Sequence, residues 1–224
     1  MTAEGPFDNI AEEYDHWYDT VEGAAIFAAE FACLRMVVPQ MRGSWLEIGS
    51  GTGRFGCALG VAEGIDPSHS MLEIAAARGI QTKVGTAEKL PYPADCFDGA
   101  LMVTVLCFVE KMPGAFDECS RVIRPGGTLL IGHIPADGPW GQDYIGKAAA
   151  GHPVYSRAHF HHGRRHPYTG IRRWFRNGCC RIGAFQATGQ SSRSPSACPA
   201  RHSSRRRIRR PRAAPCHPGA IQCG

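Results

Sequence analysis

Residues Trp45-Leu46-Glu47-Ile48-Gly49-Ser50-Gly51-Thr52-Gly53-Arg54-Phe55-Gly56 limit the fold of this chain more than any other stretch. A short apolar strand runs into glycines at alternate positions 49, 51 and 53, where a backbone can turn tightly and lie against a ligand. A strand ending in such a corner is where open α/β sheets take up nucleotides. The same glycines would also serve a plain turn, so the segments around them have to decide.

Before the corner, Phe7 to Asp19 is acidic, with apolar residues (Phe7, Ile10, Ala11, Tyr14, Trp17, Tyr18) at the three-and-four step of an amphipathic helix, one that can pack on the domain and also cover a ligand. Ala24 to Val38 reads as a second helix ended near Pro39. After the corner, the pattern predicts a helix at Arg54–Leu59 and a strand over 61–67 that ends in Asp66, 19 positions after Glu47. That interval suits a strand-end carboxylate reaching a ribose hydroxyl, and an aspartate there also suits a helix N-cap. Ser68 to Arg78 then has helical spacing closed by Gly79, and Gln81 to Val84 is a brief strand. Cys96 to Val109 is apolar on both parities, as in a central parallel strand covered on both faces. A helix over 114–123, a tight turn at Arg124-Pro125-Gly126-Gly127 and a strand over 128–134 complete five alternations. Right-handed crossovers make these an α/β fold, a Rossmann-like, doubly wound and mostly parallel sheet in three α/β/α layers.

Charge divides the chain sharply. Residues 1–160 hold 11 Lys+Arg against 20 Asp+Glu, whereas residues 161–224 hold 14 Arg and neither Lys nor any acid, which together give the net charge of +5. The basic part, with Arg205-Arg206-Arg207-Ile208-Arg209-Arg210-Pro211-Arg212 at its densest, shows no strand alternation and no helix caps. It reads as a nucleic-acid-binding arm, as a solvated disordered end, or as the product of a reading frame that slips near codon 161. Codons for His161 to Gly170 can be chosen so that a one-base shift gives an acid-first amphipathic helix start, which favours slippage. If the frame has slipped, the C-terminal strands of the fold are missing or disordered, and the fifth strand keeps an unpaired edge.

Ten cysteines lack paired zinc spacing and read as free thiols, so no metal is expected. No apolar run is long enough to span a bilayer, and the first residues lack the order of a signal peptide, so a cytoplasmic location is expected, with no membrane partner.

Four segments in this order and spacing, LEIGSGTGRFG (46–56), GIDPSHSML (64–72), GTAEKLPYPADCFDGAL (85–101) and RVIRPGGTLLIG (121–132), resemble the class I S-adenosylmethionine-dependent methyltransferases, in particular the methyltransferase type 11 family. The stretch PWGQDYIGKAAAGHPVYSRAHF (139–160) looks like the one that follows the fifth strand in one subgroup. The resemblance implies an N-terminal helical cap over 1–40, a cofactor-binding Rossmann-like domain over 41–160 and the basic tail over 161–224. It implies that Gly49, Ser50, Gly51 and Gly53 bring the backbone to the methionine part and ribose of S-adenosylmethionine, and that Glu47 faces its ammonium group directly or through water. Asp66, with Pro67 behind it, would take the ribose hydroxyls. Met71 would meet the adenine face, Thr86 and Ala87 its edge, and Val103-Thr104 the methionine side. Position 86 is often an aspartate in that family, and Thr86 offers only a hydroxyl.

A cationic, phosphate-free cofactor suits carboxylates at both Glu47 and Asp66. The alternative is an NAD(P)-dependent oxidoreductase, since Gly51-Thr52-Gly53-Arg54-Phe55-Gly56 satisfies GxGxxG. The GTAEKLP and FDGAL segments lie outside that fingerprint and favour methyl transfer to a small-molecule acceptor, its turnover impaired if the C-terminus is aberrant. Nucleic acid is the alternative partner through the tail. Alignment and desolvation supply most of what such a displacement needs, so a general base is optional. Tyr14, His16, His133, Tyr144 and Tyr155 are the nearest candidates, and none is assigned.

Overall fold

The computed structural model describes residues 7–37 and 41–162, and the backbone of 179–184. Six strands, β1 (Trp45–Ile48), β2 (Glu63–Asp66), β3 (Gln81–Val84), β4 (Phe97–Val103), β5 (Ile123–His133) and β6 (Cys179–Ala184), form one sheet in the order β3-β2-β1-β4-β5-β6. Every pairing is parallel. The helices are α1 (Ala11–Trp17), α2 (Val21–Val37), α3 (Arg54–Leu59), α4 (His69–Ala77), α5 (Met112–Val122) and α6 (Pro139–Ala149). The order of the strands reverses between β1 and β4, which opens a crevice at their C-terminal ends.

Two apolar layers explain why the central strands carry no polar alternation. Ala100 and Met102 of β4 and Leu129 and Ile131 of β5 pack with Ala115, Phe116 and Cys119 of α5. The intervening Leu101, Val103 and Leu130 turn to the other face, against Leu34 and Val37 of α2 and Phe55 and Leu59 of α3. At about 25 cal/mol per Å² of apolar surface removed from water, this double burial is the main force holding the sheet.

Several boundaries differ from the sequence reading. The long apolar run stops as a strand at Val103 because Thr104 turns into the left-handed region (φ 54°), and Leu106–Phe108 form a single 3-10 turn. Arg124 to Gly127 does not precede β5 but lies inside it: the pairing steps from Phe97↔Ile123 to Gly99↔Thr128, so these residues bulge out. Helix α6, started by Pro139 at its first turn, was not placed by the sequence pattern. Within 161–224, read as free of strands, Cys179–Ala184 pairs with β5, so that strand's edge is not left open. The densest arginine run and the rest of the tail lie outside the described residues, and with them the competing readings of that tail.

Candidate active site

Backbone connectivity brings the glycine corner and Asp66 to one point. Glu47↔Gly64 and Ile48↔Ile65 set β1 beside β2, so Gly49 N and Ser50 N both donate to Ile65 O (2.8 and 3.0 Å). Gly51 N then donates to Asp66 Oδ2 at 2.9 Å, while Asp66 Oδ1 accepts from Ser68 N at 3.0 Å. Burial pushes Asp66 up; the Ser68 and Gly51 amides oppose this, and Asp8 nearby adds to it. The N-cap of α4 is Ser68, whose Oγ accepts from Met71 N, so that role falls to Ser68 and not to Asp66.

The glycines of the corner have different tasks. A Cβ on Gly49 (φ 70°) would collide with Val105, and one on Gly53 (φ 77°) would crowd Ala75 and Ile80, so both answer to packing. A Cβ on Gly51 (φ 51°) would meet nothing within 4 Å. Gly51 therefore borders open space directly beside Asp66. Gly56, the last glycine of GxGxxG, leaves room for the Glu47 carboxylate, which would clash with any Cβ there.

Glu47 is almost wholly buried and its Oε2 accepts from Gly56 N at 3.0 Å. Burial pushes its carboxyl to about 8 despite that hydrogen bond, with Asp66 raising it further. It braces the corner from below. Ser50 Oγ, also buried, has no hydrogen-bond partner. Pro67 is exposed, Met71 is buried, Thr86 is exposed in a bridge to Lys89, and Ala87 is buried beneath it. Gly85 N donates to Asp66 O at 3.1 Å, which sets the Thr86 loop against β2. Thr104 stands at the end of β4, next to β1. Residues 49–51, 66, 85–87 and 104 thus share the C-terminal edge of four neighbouring strands.

A latch that sequence reasoning missed holds α1 on this edge. Asp15 pairs with Arg54 of α3 at 2.8 Å and with Arg78 at 2.6 Å, and Arg78 also donates to Thr52 O at 2.8 Å. Against the upward push of its partial burial, hydrogen bonds from Arg54 and Arg78 hold the Asp15 carboxyl at about 2. Acid and arginine placed 39 and 63 positions apart leave no local signal.

Beyond Thr104 opens a cavity of about 420 Å³, within the usual range for small-molecule sites. Tyr14, Trp17 and Tyr18 enter from α1 and its end, Glu30 from α2, and Tyr144 from α6, with Tyr155 and Phe160 closing it. The Tyr14 and Tyr18 hydroxyls lie 3.2 Å apart, and the Tyr144 ring sits 4.5 Å from Tyr155 and stacks on Phe160. Three candidate bases therefore converge here. His16 does not: its ring bonds the Glu12 carbonyl on an exposed face. His133 lines a separate cavity of about 20 Å³, where burial, with His161 adding, lowers it to about 4 and keeps it neutral.

Glu30 is 3% exposed, and its Oε2 has no hydrogen-bond partner. It is the single acid in the apolar run Ala24 to Leu34, a signal the sequence did carry.

Residues 46–131 match the model of a methyltransferase domain. A solved Thermotoga maritima protein, described as an S-adenosylmethionine-dependent methyltransferase and possible histamine N-methyltransferase, is 32% identical with a TM-score of 0.66, over 76% of this chain and 77% of that one. An uncharacterized Mycobacterium tuberculosis protein is 39% identical over 161 residues, 72% of this chain, which spans 56% of that protein's length. A ubiquinone/menaquinone biosynthesis C-methyltransferase of Dinoroseobacter shibae is 30% identical over 57% of each chain. No helix among the described residues is long and apolar enough to cross a membrane. With the glycine corner, the β2 carboxylate and the β4 end gathered on one sheet edge, the chain belongs to the class I S-adenosylmethionine-dependent methyltransferases, of the methyltransferase type 11 family, whose cofactor is S-adenosylmethionine.

Proposed function

We propose that the chain transfers the methyl group of S-adenosylmethionine to a small-molecule acceptor held in the aromatic cavity. The hydrogen bond from Gly51 to Asp66 carries this reading, because it fixes a carboxylate beside open backbone at the sheet edge. The residues fit the cofactor in three respects. Asp66 keeps unused lone pairs on both oxygens for ribose hydroxyls. Ser50 Oγ is buried and unpartnered. The carboxyls of Glu47 and Asp66 suit a cationic ligand, which would favour their ionised forms.

In this reading Gly49, Ser50, Gly51 and Gly53 form the wall of the cofactor site, with Glu47 bracing it and Pro67 turning the chain from Asp66 into α4. Asp66 holds the ribose, Met71, Thr86 and Ala87 border the adenine, and Thr104 stands between cofactor and acceptor. When bound, S-adenosylmethionine supplies a methyl group already activated on cationic sulfur. The protein then has to align the acceptor and exclude water, and such positioning can contribute ~7–11 kcal/mol. The ring-lined cavity supports both tasks.

The nicotinamide alternative loses its main support, since the last glycine of GxGxxG makes room for Glu47. The Thermotoga maritima protein is named for histamine and the Dinoroseobacter shibae protein for a quinone pathway, so the relatives do not agree on one acceptor.

Calorimetric titration with S-adenosylmethionine and with NADH tests the reading. Wild type is expected to bind S-adenosylmethionine and not NADH. Asp66→Ala is expected to weaken binding about 10- to 100-fold, the loss of hydrogen bonds to a charged group. Binding of NADH alone would refute it.

A further inference from the structure

Resting on the methyl-transfer reading, we infer that the acceptor is a small, protonated amine attached to an apolar or aromatic body, with Glu30 as its counter-charge and proton acceptor. Glu30 lies on α2, buried within the fold, yet it lines the cavity. A buried glutamate with a carboxyl oxygen that meets no donor is a costly arrangement unless a ligand completes it. An ammonium group has the donors and the charge to do so.

The surroundings point the same way. Tyr14 and Tyr18 from the first helical segment, Tyr144 from α6 and Tyr155 from the loop beyond line the same cavity as Glu30. Their rings and that of Trp17 are of the kind that attract a cation and cover an apolar body, and Lys147 Nζ already lies 5.1 Å from the Tyr144 ring centroid. Three more acids, Glu13, Glu22 and Asp143, border the opening. The one lysine there, Lys147, is already paired with Asp143 at 2.8 Å. Among the described residues, His152 is the remaining basic residue on the wall, and its Nδ1 faces the Val154 amide at 3.3 Å, which makes that nitrogen an acceptor. The charge balance of the wall's described residues therefore selects against an acidic acceptor and in favour of a cationic one.

Protonation gives Glu30 its second task. Burial pushes its carboxyl to about 8, so near neutrality it is mostly the uncharged acid, and an arriving ammonium ionises it. A protonated amine has no free electron pair. Transfer of one proton from the ammonium nitrogen to Glu30 breaks an N–H bond, leaves its pair on nitrogen and neutralises the carboxylate, so the amine becomes a nucleophile inside the cavity. Burial makes Glu30 a stronger base than an exposed glutamate, which favours that transfer.

The test is calorimetry on the whole chain saturated with S-adenosylhomocysteine, using two near-isosteric probes, 2-phenylethylamine and 2-phenylethanol. The amine is expected to bind at least tenfold more tightly at pH 7. Titrations in buffers of different ionisation enthalpy are expected to show about one proton released per amine bound and none for the alcohol. Glu30→Gln should abolish both the preference and the release while leaving S-adenosylhomocysteine affinity within twofold. Proton release by wild type needs no variant, so it decides even if Glu30→Gln does not fold. Equal binding of the two probes, a preference for the alcohol, binding of neither, or a preference that survives in Glu30→Gln would each overturn the inference. Failure of S-adenosylhomocysteine to bind, read first in the same experiment, would instead overturn the methyl-transfer reading and the inference with it.

Discussion

The proposed cofactor edge and the proposed acceptor cavity meet at Thr104 but are built from different material. On the cofactor side the key groups are main-chain atoms and two carboxylates within a span of 20 residues, Glu47 to Asp66, held by the parallel pairing of β1 and β2. On the acceptor side the wall is side chain, and it is collected from α1, α2, the end of β4, α6 and the loop to Phe160. A site made of backbone turns leaves a mark in local sequence, whereas one made of distant side chains does not. The former can be shared widely among relatives, while the latter can differ and, in the proposed reaction, would set the acceptor.

Each half holds one buried glutamate pushed to about 8, and this gives the largest effect expected. For both groups the folded value lies above the ordinary 4.5, so their penalty is absent below pH 4.5 and grows as pH rises to about 8. Across that window each should remove about 1.4 kcal/mol of stability per pH unit. Denaturant unfolding of wild type, Glu30→Gln and Glu47→Gln checks it. Each variant should flatten the slope by one group's share. S-adenosylmethionine should flatten the Glu47 share, and an amine the Glu30 share. Equal slopes in all three proteins would remove the distinction between the halves.

Asp15 joins the halves, and its loss is expected to cost less. Its folded value of about 2 lies below the ordinary 3.8, so its contribution is present above pH 3.8 and fades as pH falls toward 2. Asp15→Asn should cost about 1–3 kcal/mol, the usual worth of hydrogen bonds to a charged group. Amide exchange should quicken in 11–17, and amine affinity should fall more than cofactor affinity. Unchanged exchange in α1 would show that the ion pairs with Arg54 and Arg78 do not hold it.

The five alternations, the order of the elements and helix α3 were legible because apolar periodicity and glycine stops are local signals. The run from Cys96 to Val109 misled at its end, since nothing apolar distinguishes Val103 from the turn that begins at Thr104. The bulge at Arg124–Gly127 was hidden for a related reason: glycine and proline mark a turn without saying that β4 will pair on both sides of it. Asp66 was readable as a site candidate from its interval to Glu47, while the burial of Glu47 under Gly56 was not. Glu30 was visible as a lone acid in an apolar helix, but only the folded chain puts it on the wall of the same cavity as four tyrosines.

The most direct test of the central claim is a crystal structure with S-adenosylhomocysteine. The ribose hydroxyls should lie within hydrogen-bond distance of Asp66, the backbone of Gly51 should run along the ligand, and the sulfur should face Thr104 and the tyrosine-lined cavity. A ligand bound elsewhere, or a ribose that leaves Asp66 tied only to Gly51 and Ser68, would contradict it.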